Sequence, residues 1–149
     1  MIQRIQSVYL LVVTILMVVC MCSPVGSIIA NTQEISEFGN LCITLPDGTK
    51  DYAPWALFVI LLVVAVLSFG TIFLFKKRML QIRLTIFSSV VLVGYYLALV
   101  AYIFMLAENT SFTPSWTICL PFAGIILNWL AIRCIGADEA LVKAYDRLR

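Results

Sequence analysis

Histidine is absent from all 149 residues, and only 12% of the residues carry charge. The first absence removes together the commonest zinc and haem ligand, the usual general base and the usual proton relay. The second is uneven along the chain. Residues 7–30, 55–75, 84–106 and 115–135 contain no Asp, Glu, Lys or Arg, apart from Arg133 at the last edge. Ionisable groups within spans normally mark ion pathways and proton-coupled carriers. Their absence argues against a pump, a proton-coupled transporter or a membrane protease. No internal repeat or low-complexity segment interrupts the chain.

What fills the uncharged stretches is apolar, and mean hydropathy reaches +1.04. A helix rising 1.5 Å per residue needs about 20 apolar residues to cross a hydrocarbon core of roughly 30 Å. Each stretch is 21–24 residues long. The expected fold class is therefore all-α, a polytopic membrane protein with four transmembrane helices in one domain over residues 1–149. An outer loop is expected at 31–54 and a short amphipathic tail helix at 138–149.

Alternating helices place Arg4, Lys76, Lys77, Arg78, Arg83, Arg133, Lys143, Arg147 and Arg149 on one side and only Lys50 on the other. Lysine and arginine bias in short loops sets orientation, so both termini are expected in the cytoplasm. The opposite loop carries Glu34, Glu37, Asp47 and Asp51 against Lys50. The first stretch is read as a span rather than a signal peptide. Its apolar run exceeds the 7–15 residues typical of a signal core, and no small-x-small cleavage site follows.

Pro24 and Gly26 predict a kink or early unwinding of the first helix near Ser23, since proline lacks a backbone donor and clashes with the preceding turn. In the outer loop, Pro46-Asp47-Gly48 between two short alternating runs predicts a turn within a small hairpin. Tyr52, Trp55 and Trp116 suit an aromatic belt. Pro121 predicts a kink in the fourth helix. A Cys42–Cys119 bridge is one pairing open to the five cysteines, although spacing does not establish connectivity.

Two groups of residues are candidates for contact. The basic turn Lys76, Lys77, Arg78 and Arg83, with Arg4 and Arg147, Arg149, Leu141 and Tyr145 of the tail, could meet anionic lipid or a protein partner. The bland alternative is a topology lock and a tail resting on the membrane. In the tail, Asp138 is positioned as an N-cap, and Leu141, Tyr145 and Leu148 recur at i, i+4 and i+7. Gly94, Ala98 and Tyr102, with Gly124 and Asn128, form small-residue and polar faces that let helices approach closely, within the chain or toward another subunit.

The opening Met1-Ile2-Gln3-Arg4-Ile5-Gln6-Ser7-Val8-Tyr9-Leu10 and the closing Asp138-Glu139-Ala140-Leu141-Val142-Lys143 with Asp146-Arg147-Leu148-Arg149 resemble those of small four-helix inner-membrane proteins of Bacteroidota. These form domain-of-unknown-function family 4293. The likeness extends over the whole plan of four spans, one longer outer loop and a basic inner turn, with Tyr145 standing where a smaller residue is expected. It implies a Gram-negative envelope and a body plan, but no activity, cofactor or catalytic residue.

The expected function is that of a noncatalytic accessory or scaffold subunit of an envelope membrane complex. Its expected partners are membrane lipids and a larger membrane complex, with no nucleic acid, metal or cofactor. The alternative is a small carrier or lipid-handling protein with its path near Asn128. No constellation of residues supports an enzyme.

Overall fold

The computed structural model describes residues 2–30, 35–74, 77–106 and 110–147. Four α-helices dominate: α1 (Ile2–Cys22), α2 (Trp55–Phe73), α3 (Arg78–Leu106) and α4 (Cys119–Arg147). All four are long and apolar enough to cross a membrane. Each packs against two neighbours, so the helices close a ring in chain order.

Hydrogen bonds between the helices establish that successive ones run antiparallel. Tyr102 Oη, late in α3, donates to the Ala53 carbonyl just before α2. Tyr96 Oη donates to the Ile118 carbonyl before α4, whereas Asn128 Nδ2 reaches back to Ser88 Oγ. At the far end, Gln6 of α1 meets Asp138 of α4. The start of α1 and the end of α4 therefore lie together, beside the α2–α3 turn.

The expected all-α fold is corrected at the opposite end, where five short strands form an antiparallel sheet. They are β1 (Pro24–Ala30), β2 (Ile35–Gly39), β3 (Ile43–Thr44), β4 (Lys50–Asp51) and β5 (Thr110–Pro114), in spatial order β4-β3-β2-β1-β5. The first span accordingly ends at Cys22 rather than residue 30. Pro24 supplies no helical N–H and biases Ser23 away from the α region, so the helix stops instead of kinking. Beyond it, burial alternates from Gly26 to Ile29 with the two-residue period of a strand. The apolar character of this segment serves a sheet that caps the bundle, with Val25, Ile28, Phe38 and Ile43 joining the common core.

The predicted turn forms. Gly48 N–H donates to the Leu45 carbonyl and Leu45 N–H to the Thr49 carbonyl, each at 3.0 Å. Gly48 takes φ +78°, a conformation open to glycine at little cost. Gly26 has a different role. A Cβ there would lie 2.6 Å from both Phe112 Cζ and the Thr113 carbonyl oxygen. Its bare backbone lets β5 close on β1 and lets Phe112 meet Phe38 edge-on, at 5.8 Å between ring centroids.

Asn40 joins the sheet to the bundle. The Cys20 carbonyl lies in the last turn of α1, where no later N–H of the helix can reach it. Asn40 Nδ2 donates to it at 2.6 Å, while Asn40 Oδ1 accepts from Tyr95 Oη of α3 at 2.7 Å. Both Asn40 and Tyr95 are 1% exposed.

The third and fourth helices exceed their expected spans. α4 runs unbroken for 29 residues, about 43 Å, through Gly136. The separate tail helix capped by Asp138 is thus corrected to the last turns of α4, with Asp138 in mid-helix. Pro121 is the third residue of α4, inside the first turn, where its missing N–H breaks no helical bond. All five cysteines are free, so Cys42 and Cys119 are not bridged.

Removing the Asn40 amide leaves two buried polar groups unpaired. Asn40→Ala should cost about 3 kcal/mol, a drop of roughly 6–12 °C in Tm for the purified chain in detergent. Gly26→Ala should lower Tm by a smaller but clear amount, because overpacking costs about 1–3 kcal/mol.

Candidate functional site

The flank of the bundle is apolar, unlike that of a water-soluble one. Large apolar side chains such as Val66, Phe69, Leu97 and Phe104 are more than half exposed around its flank. Polar ones are inside: Gln6, Ser68, Thr71, Gln81, Thr85, Ser88, Asn128 and Asp138 are all buried. These eight lie in the half of the bundle away from the sheet, whereas buried Asn40, Thr117 and the Tyr95 hydroxyl lie at the sheet end. Near the sheet the interior is packed by Val13, Met17, Leu57, Leu61, Leu92 and Leu99.

Several of the buried hydroxyls are satisfied locally. Thr71 bonds back to the Ser68 carbonyl and Thr85 to that of Gln81, the usual resort of hydroxyls in apolar helices. Asn128 is fully buried and donates to Ser88 Oγ at 3.3 Å. Its Oδ1 and the Ser68 Oγ accept or donate no bond within the described residues.

At the end of this polar interior, Gln6 Nε2 donates to Asp138 Oδ2 at 2.6 Å, with both residues less than 10% exposed. Arg78 Nη1 donates to the Asp138 backbone carbonyl at 3.4 Å. Three helices are thereby pinned at one level. Beyond it, residues 140–147 of α4 are exposed on every side and project past the bundle.

The projection and the start of α3 enclose a groove of about 720 Å³. Lys77, Arg78 and Arg83 border it from the α3 side, and Glu139, Lys143 and Asp146 from α4, with Met79, Leu80 and Val142 between them. Its four basic and two acidic side chains leave a net positive charge. Lys143 is held by Glu139 at 2.9 Å, one helical turn away. Arg133, outside the groove, lies over the Trp129 ring at 4.7 Å.

The structure thus brings together three of the expected contact residues, Lys77, Arg78 and Arg83, and adds Lys143, Glu139 and Asp146 to them. Leu141 and Tyr145 do not line the groove, and they are 52% and 74% exposed. Arg147 is exposed in the last described turn of α4. Lys76, Arg149 and the side chain of Arg4 lie outside the described residues. The i,i+4 pairing of Glu139 with Lys143 was the available signal for the second wall, but the groove exists only because α4 continues past Gly136.

The five residues of the expected packing faces separate. Gly124 and Asn128 point inward, and a Cβ on Gly124 would come 2.9 Å from Met17 Cε. Ala98 packs partly on the core, and Tyr102 bonds to Ala53. Apart from its own helix, nothing lies within 4 Å of where a Cβ on Gly94 would be.

The fold is an up-and-down ring of four helices, each long and apolar enough to cross a membrane, with most of the basic residues gathered at one end. Residues 2–148 match the family described as Domain of unknown function (DUF4293), and the chain belongs to that family. No curated relative matches the chain.

The Gln6–Asp138 pair should govern how firmly the projection is held. Asp138→Ala is expected to lower stability by about 2 kcal/mol and to speed tryptic cleavage after Lys143, whereas Asp138→Asn, which keeps an acceptor for Gln6, should lose less than half as much.

Proposed function

We propose that the protein is a noncatalytic accessory or scaffold subunit of a bacterial envelope membrane complex. In this reading it lies in the inner membrane, with the basic end and both termini in the cytoplasm. The observation that carries the proposal is the projecting end of α4. Leu141 and Tyr145 are exposed on a helix that runs past the bundle, with the Gln6–Asp138 and Arg78 contacts bracing its base. An apolar stripe on a braced helix is suited to lie against a groove of a partner, as amphipathic helices do. The opening beside Gly94 offers a second place for close helix approach within the membrane.

The orientation rests on charge. Among the described residues, the basic end holds Lys77, Arg78, Arg83, Arg133, Lys143 and Arg147, while the sheet end holds Glu37, Asp47 and Asp51 with Lys50. This is the asymmetry that directs basic loops to the cytoplasm.

A second reading, a small carrier or lipid-handling protein, draws on the orphaned Asn128 Oδ1 and Ser68 Oγ in the polar half of the interior. Buried polar atoms left unpaired cost about 1–3 kcal/mol each unless something bonds to them. Water can satisfy them as readily as a transported molecule, so this reading ranks below the first.

Purification of the tagged full-length protein from its own membranes in mild detergent should recover a larger membrane protein in fixed stoichiometry. The double variant Leu141→Glu/Tyr145→Glu should lose it while keeping its own Tm within about 2 °C, since exposed substitutions rarely shift stability by more than about 0.5 kcal/mol. Recovery of a lone monomer or homodimer with lipid would overturn the scaffold reading and promote the carrier.

A further inference from the structure

We propose that the groove between the start of α3 and the end of α4 is a binding site for the headgroup of an anionic phospholipid. Its position is the first argument. Arg83 is the last charged residue of α3 before an uncharged run to Leu106, so the groove opens where the helices leave the hydrocarbon. That is the depth of lipid phosphates on whichever side of the membrane the basic end lies.

Its chemistry is the second. Lys77, Arg83 and Lys143 all line the groove, and Arg78, already bonded to the Asp138 carbonyl through one nitrogen, retains further donors. A guanidinium meets phosphate with two parallel hydrogen bonds and an ammonium meets it as a point charge. Glu139 pairs with Lys143 at 2.9 Å on the α4 wall, which leaves Lys77, Arg78 and Arg83 as the basic groups without a carboxylate partner among the described ion pairs. The net positive charge selects a headgroup with net negative charge over a zwitterionic one.

The third argument separates lipid from a soluble anion. Met79, Leu80 and Val142 are 53%, 41% and 45% exposed among these charges. A free phosphate has no use for them. A phospholipid places its glycerol and the first methylenes of its chains directly beside its phosphate, and so covers apolar and basic groups in one molecule. A volume of about 720 Å³ falls within the range of small-molecule sites, about 300–1,000 Å³.

The test is native mass spectrometry of the delipidated full-length protein, titrated with phosphatidylglycerol and, separately, phosphatidylcholine. Phosphatidylglycerol should bind at least tenfold more tightly. Each juxtamembrane basic charge contributes about fivefold to anionic-lipid affinity, so Arg83→Gln/Lys143→Gln should weaken phosphatidylglycerol about 25-fold and leave phosphatidylcholine unchanged. Lys143→Arg should retain binding, and Glu37→Gln at the sheet end should not alter it. Equal affinity for the two lipids, or undiminished phosphatidylglycerol binding by a folded double variant, would overturn the proposal. So would displacement of phosphatidylglycerol by equimolar inorganic phosphate, which would make the groove a site for soluble anions.

Discussion

The amide of Asn40 is the constraint on which the architecture turns. A helix ending in an apolar setting leaves carbonyls that neither water nor a later turn can satisfy. Asn40 supplies the missing donor to Cys20 and takes the Tyr95 hydroxyl in return, tying the end of α1, the sheet and α3 at one buried point. In membrane helices such bonds average only about 0.6 kcal/mol of coupling, because polar groups find other partners in the unfolded reference state. Here the geometry leaves no substitute, and the relevant cost is that of orphaned groups. The cap held by this contact contributes Phe38 and Val25 to the core, so the sheet is a lid on the bundle and not an appended loop.

The opposite end is held by a different kind of contact. Gln6 and Asp138 form a bond assisted by the carboxylate charge, and Arg78 adds a donor to the Asp138 carbonyl. Together they stop α4 from fraying at Gly136, where glycine would cost roughly 1 kcal/mol against alanine in a free helix. The consequence is mechanical: α4 leaves the bundle as a continuous rod. One side of that rod borders the basic groove, and another presents Leu141 and Tyr145 outward. The lipid site and the partner surface we propose are therefore two faces of one extended element, each able to exist without the other.

Between the two ends the interior is mostly apolar beneath the sheet, apart from the Asn40–Tyr95 contact and Thr117, and richer in polar side chains toward the groove. Met17 and Gly124 pack closely in the first, whereas Ser88 and Asn128 meet in the second. Hydroxyls and amides in hydrocarbon seek partners on facing helices, and this aligns the helices in a way that apolar packing against equally apolar lipid does not.

Read alone, the residues determined the number of helices long and apolar enough to cross a membrane, the asymmetry of basic charge and the Pro46-Asp47-Gly48 turn. These depend on composition and on signals within a few residues of one another. Three matters were decided only in the tertiary structure. Residues 24–30 were indistinguishable from helix by hydropathy, because a buried strand and a buried helix are equally apolar; pairing with β2 and β5, which Gly26 permits, makes them a strand. Asp138 reads locally as a helix cap, yet Gln6, 132 residues away in sequence, makes it a buried acceptor within a continuous helix. The groove has Arg83 and Lys143 among its lining residues, and they border one space only because α4 runs on past the start of α3. Hydrophobicity is a property each residue carries into the fold; a partner for a buried polar group is supplied by the fold itself.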